Sequence, residues 1–151
     1  MCAQPPVAPG HRPRGEAGHR TVPHTADVRI EAWGATREQC LGEAVLGLVD
    51  SFVDVTEARA SAVRQVRLPE ESDDDLLASL LEEVVYRLDV YGEVPVDIEV
   101  ESMDGGLDVR LAVADVSALP VIGSVPKAVS WNDLRMARDP YGWSCAVTVD
   151  V

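Results

Sequence analysis

The residues best equipped for chemistry in this chain are carboxylates placed where strands and a helix begin or end. Asp27 lies in Pro23-His24-Thr25-Ala26-Asp27-Val28, where a polar stretch gives way to Val28, Ile30 and Ala32 alternating with Arg29, Glu31 and Trp33. Asp150 and the C-terminal carboxylate of Val151 stand at the other end of the chain, and Asp73, Asp74 and Asp75 open an apolar-periodic stretch. Carboxylate and carbonyl oxygens suit hard divalent cations such as calcium or magnesium, with water filling the remaining positions. Each candidate also has a simpler reading. Asp27 can accept backbone amides in a turn, the three aspartates can serve the positive end of a helix dipole, and Asp150 can be an exposed residue of a terminal strand. His24 can be a structural hydrogen-bonding side chain, and Lys127 can solvate a strand end. No P-loop, GxSxG, HExxH, GxGxxG or zinc-ligand spacing is present, so the sequence assembles no nucleophile with its base.

The elements that must hold these residues follow from periodicity. Val28 to Ala32 alternates as a strand does. Thr36-Arg37-Glu38-Gln39 has the form of a capping box, and Cys40, Leu41, Ala44, Val45, Leu48, Val49 and Phe52 then recur at helical spacing. Val63 to Leu68 reads as a strand ended by Pro69. A second helix starts near Ser72 with the apolar stripe Leu76, Leu77, Leu80, Leu81, Val84, Val85 and Leu88. Strands follow at Val96 to Glu101 and Leu107 to Val113 around an Asp104-Gly105-Gly106 turn. After a loop over 114–126 come strands at Lys127 to Met136 and Trp143 to Val151, joined by Asp139-Pro140-Tyr141-Gly142. The expected class is α+β: a mostly antiparallel sheet, or two, covered by two amphipathic helices. Residues 1–20 are rich in Pro, Gly, Arg and His and read as a disordered N-terminal extension with solvated His11 and His19. Residues 21–151 are expected to form one domain.

Composition narrows the partners. The chain has 151 residues, 26 acidic against 13 basic, and a formal net charge of −13. That charge repels phosphate backbones and argues against direct nucleic-acid binding, leaving basic proteins and metal cations as natural partners. Cys2, Cys40 and Cys145 lack a CxxC spacing, and Cys40 and Cys145 fall on apolar faces, as reduced thiols do. With no secretory or membrane-spanning stretch, the expected location is the cytoplasm.

His24-Thr25-Ala26-Asp27-Val28, continued by Ile30-Glu31-Ala32-Trp33-Gly34, resembles the signature of the archease family. Asp74-Asp75-Leu76-Leu77, Lys127-Ala128-Val129-Ser130 with Asp133-Leu134, and Val149-Asp150-Val151 agree with it in order and spacing, so the resemblance runs from His24 to the last residue. It implies a non-catalytic protein that promotes guanylylation and multiple turnover of a guanosine-triphosphate-dependent RNA-splicing ligase, which joins 3′-phosphate to 5′-hydroxyl ends in tRNA splicing and RNA repair. It also implies a divalent cation, calcium with magnesium or manganese as alternatives, held by Asp27, Asp150 and Val151. Lys127 becomes a candidate for the activating function, and His24, Asp74 and Asp75 candidates for facing the ligase. The chain departs from the family pattern at Pro23, where an Asp is common, at Trp131-Asn132-Asp133, where Tyr-His-Asp is common, and in the 114–126 loop, whose one charge is Asp115. Two rival readings are a metal-dependent phosphate-ester hydrolase, for which no base is in view, and a general chaperone-like interaction module.

Overall fold

The structure, a computed structural model, describes residues 15–23 and 27–151. In chain order the elements are β1 (Gly18–Pro23), β2 (Asp27–Gly34), α1 (Arg37–Asp50), β3 (Ala62–Pro69), α2 (Asp73–Tyr91), β4 (Glu93–Met103), β5 (Gly106–Asp115), a 3-10 turn (Val116–Ala118), β6 (Ala128–Asp139) and β7 (Gly142–Asp150). They form two antiparallel sheets, one in the order β1-β2-β7-β6 and the other β3-β5-β4. Each helix touches both sheets: α1 packs on β1, β2 and β7 and on β4, and α2 on β6 and on β3 and β4. The class is therefore α+β as expected, with each helix shared between the two sheets. The broad burial of α1, from Cys40 to Val49 on several sides, follows from having a sheet on either side.

Local signals set the helix ends. Thr36 caps α1 by accepting the Gln39 N–H at 3.1 Å. The Gln39 side chain returns to the Ala35 N–H, one residue before the cap. Ser72 caps α2 by accepting the Asp75 N–H, and Gly92 ends it at φ 65°, the left-handed conformation that glycine reaches without strain. The main core gathers Ile30, Leu41, Leu48, Leu76, Leu80, Leu107, Leu111 and Val147 from both helices and both sheets. A smaller cluster holds Val49, Phe52, Val53, Val94, Ala114 and Leu119.

Two readings of the sequence need correction. Residues 18–20 were expected in the disordered extension, yet they belong to β1, which pairs with β2 from Gly18↔Trp33 to Pro23↔Val28. Gly18 to Pro23 carries no apolar alternation, so its order comes from pairing and from ion pairs that periodicity does not register. His19 was expected to be solvated and is instead half-buried, its Nδ1 2.8 Å from Glu43 and its Nε2 2.7 Å from Asp50 on α1. The hydrogen bonds to Asp50 and then Glu43, against the opposing effect of burial, push its pKa up to about 9. The second correction concerns β6, which is interrupted. Ser130 faces Thr148 and Arg135 faces Ala146, so β6 advances five residues (130 to 135) while β7 advances two (148 to 146). The surplus bulges outward, with Trp131 exposed and Asp133 at φ 60°.

The His19 clamp has a defined pH dependence. A folded-state pKa raised above 6.5 adds stability that is complete below pH 6.5 and is lost as pH rises through about 9. Because the Asp50 side chain is 46% exposed, solvent screening leaves this contribution at about 1 kcal/mol. Denaturant unfolding of the wild type is expected to lose that amount between pH 6.5 and 9.5, and His19→Gln to flatten the change. An unaltered pH slope in the variant would remove the clamp from the stability of β1.

Candidate functional site

Asp27 is the first residue of β2 and Asp150 the last of β7, and the register pairs them directly, Asp27↔Asp150. Directly opposed residues of antiparallel strands project to the same face. The buried pairs Ile30↔Val147 and Ala32↔Cys145 face the core, with the partly buried Val28 opposite Val149 on the same side, so both carboxylates lie on the outer face. Ala128 at the start of β6 pairs Asp150 from the other side. The Lys127 N–H donates to the Asp150 carbonyl at 2.8 Å, which fixes Lys127 and Val151 at the same end of the sheet. Asp27 is half-buried, whereas Asp150 and Lys127 are exposed.

Two carboxylates facing each other across a ladder repel, and among the described residues neither meets a donor or a cationic side chain. The arginines along this face are otherwise engaged: Arg29 and Arg20 both bind Glu31. Burial pushes Glu31 up, but the two guanidiniums outweigh it and hold its carboxyl below the usual range. Among the described residues the sheet end thus presents two carboxylates that no ion pair engages, and this donor set fits a hard divalent cation. Among the described residues no three His, Cys, Asp or Glu side chains converge as a metal cluster, and a main-chain oxygen such as that of Val151 is the further oxygen donor placed at this sheet end.

The other sequence candidates divide. His24 lies outside the described residues. Asp74 and Asp75 stand at the N-terminus of α2, at the opposite end of the α2–β6 contact from Lys127, so the structure does not bring them to the paired carboxylates. Asp74 has a tertiary role that its helix-start position did not reveal: its Oδ1 accepts the Met136 N–H at 2.7 Å and secures β6 just past the bulge. Asp73 accepts from Arg37, whose guanidinium also reaches Glu38 and Glu70 and ties the starts of the two helices together. Sequence reasoning did not single out the groove of about 500 Å³ beside Lys127, lined by α2 and residues 125–129. The signal for it was the apolar Val125-Pro126 preceding Lys127.

Comparison with known proteins gives a consistent result. The model of the Archease protein family matches residues 19–151. A probable protein archease of Mycobacterium tuberculosis is 54% identical over 140 residues, covering 93% of this chain and 78% of that protein. Protein archease of Thermococcus gammatolerans is 31% identical over 135 residues, covering 85% of this chain and 94% of its own. Among solved structures, the solution structure of a Methanobacterium thermoautotrophicum protein is similar at TM-score 0.72, with 20% identity, 89% of this chain and 99% of that chain covered. The crystal structure of a Thermotoga maritima archease, described as a possible chaperone, is similar at TM-score 0.64, with 20% identity and coverage of 86% and 94%. At that identity the structural likeness speaks for the fold. Among the described residues no helix is long and apolar enough to cross a membrane.

Proposed function

The chain belongs to the archease family, and from that premise we propose that it is a non-catalytic activator of a guanosine-triphosphate-dependent RNA-splicing ligase. In this reading it binds a divalent cation, calcium first, through Asp27, Asp150 and a main-chain oxygen of Val151. It promotes guanylylation and repeated turnover of the ligase in tRNA splicing and RNA repair. The observation that carries the reading is the register Asp27↔Asp150, with Lys127 bonded to the Asp150 carbonyl: three motifs far apart in sequence meet at one sheet end.

A bound divalent cation supplies the positive charge that reconciles the two carboxylates, with further positions open to oxygen ligands. The chain's own part is to hold those carboxylates rigidly on paired strands. It also keeps the Lys127 ammonium in solvent beside them, free to meet an anionic group such as a phosphate on the partner. The net charge of −13 draws in a partner with a basic, RNA-binding face and speeds the encounter.

The test is ligase guanylylation followed over several turnovers, with and without this protein, each with and without a chelator. Stimulation that disappears with the chelator and returns with added calcium, magnesium or manganese is the expected result, and the order of the three names the cation. The description of the Thermotoga maritima relative favours a second reading, a chaperone-like module. It predicts that the chelator changes nothing and that unrelated client proteins benefit equally.

A further inference from the structure

We infer that the groove between the C-terminal half of α2 and residues 125–129 is a docking site for a basic, apolar-centred segment of the partner protein. This rests on the reading of the chain as an activator that docks on a ligase. The groove has a volume of about 500 Å³ and an apolar floor and walls, in which Val85 and Pro126 are buried while Tyr86 and Val125 stay 51% and 46% exposed. Large apolar side chains left open around a concave surface mark an interaction site more than a solvated one. The Tyr86 ring meets Tyr91 edge-on, their centroids 6.0 Å apart, which extends the apolar rim of the groove.

Charge selects the occupant. Glu82 and Asp89 line the same groove and are exposed. They are seven residues apart on α2, two turns on one face, hence about 10 Å apart along the axis with Val85 and Tyr86 between them. Two fixed anions at that spacing around an apolar centre match two cationic side chains flanking an apolar one. A second copy of this acidic chain would bring like charge against like, and a free anion would face both carboxylates. Lys127 closes the groove at the end nearest Asp150, so the lining carries two acidic side chains against one basic one. A segment seated here would therefore lead the partner from the groove to the paired carboxylates, so docking and activation occupy adjoining parts of one surface.

The experiment titrates this protein against the ligase, reading half-maximal stimulation and maximal stimulation separately, at low and high salt. Glu82→Lys with Asp89→Lys is expected to raise the half-maximal concentration by about tenfold at low salt, to reduce its salt dependence, and to leave the maximum at saturation near the wild-type value. Tyr86→Ser is expected to raise the half-maximal concentration at both salt levels. Glu57→Lys with Glu101→Lys, which changes the net charge equally on other faces, should shift it far less. An equal shift for both double variants would mean that only the overall field matters and would overturn the proposal. Half-maximal values within twofold of wild type for the groove variants, with wild-type stimulation intact, would overturn the groove and leave the activator reading standing. Self-association of the wild type, abolished by the charge reversal while ligase stimulation is unchanged, would assign the groove to a second copy. Absence of any wild-type stimulation would remove the activator reading and this proposal with it.

Discussion

Asp150→Ala is expected to abolish the metal-dependent part of ligase stimulation while leaving the protein folded, and Asp27→Ala to do the same. The two residues are directly opposed on paired strands, on the solvent face, at the last rungs of the ladder. Neither contributes to the core, so truncation creates no cavity. Each supplies one of only two side-chain carboxylates at the site, and removing one should weaken divalent-ion binding by at least about tenfold.

The same pair gives a stability signature that a purely structural role would not produce. Without metal, the opposed carboxylates repel, so either alanine variant should be level with the wild type or more stable by up to about 1 kcal/mol. With calcium at about a hundred times the dissociation constant, the wild type should gain roughly 2.7 kcal/mol and each variant little or nothing. Chemical denaturation with and without calcium reads this crossing. If wild type and variants respond to the ion identically, the paired carboxylates are not the cation site.

Phe52→Ala is expected to have the largest effect on stability, a loss of about 3–5 kcal/mol. Phe52 is the one phenylalanine of the chain and is 1% exposed, filling the smaller cluster with Val49, Val53, Val94, Ala114 and Leu119. A domain of this size has about 5–15 kcal/mol in all, so the variant sits near the threshold of folding at 37 °C. The effect should spread along the chain. The Phe52 carbonyl accepts the N–H groups of Ile122 at 2.8 Å and Gly123 at 3.3 Å. Gly123 approaches so closely that a Cβ there would lie 2.1 Å from the Ser51 carbonyl oxygen. Hydrogen exchange at Ile122 and Gly123 should accelerate in the variant together with the fall in the unfolding midpoint. A loss below about 1 kcal/mol would show that the neighbours close over the vacated space.

What could be read from the sequence was whatever local chemistry dictates. Thr36 and Ser72 announced their helices because a hydroxyl before an apolar-periodic run satisfies free amides there. The two helices, the hairpin at Gly105 and both late strands followed from period and turn residues. The meeting of Asp27 and Asp150 was not legible in that way, because it depends on the register between strands more than a hundred residues apart. Only the resemblance of whole motifs pointed to it. β1 escaped because Gly18 to Pro23 is ordered by His19 and by pairing with β2, neither of which leaves a periodic trace. Asp74 looked like a helix-dipole residue because its bond to Met136 is tertiary. The interruption in β6 was hidden by Trp131 and Leu134, which sit well in any strand pattern.

That interruption gives the chain a place where its length is free to vary. In an unbroken ladder an added residue shifts every pair beyond it and turns inward side chains outward. Here the rungs up to Ser130 and those from Arg135 are registered separately against β7. Residues inserted between them lengthen an exposed protrusion and leave both the Ala128↔Asp150 rung and the Asp139↔Gly142 turn in place. Relatives can thus diverge in size at this point without disturbing the paired carboxylates, and a short reporter peptide can be spliced in there for following the protein on its partner.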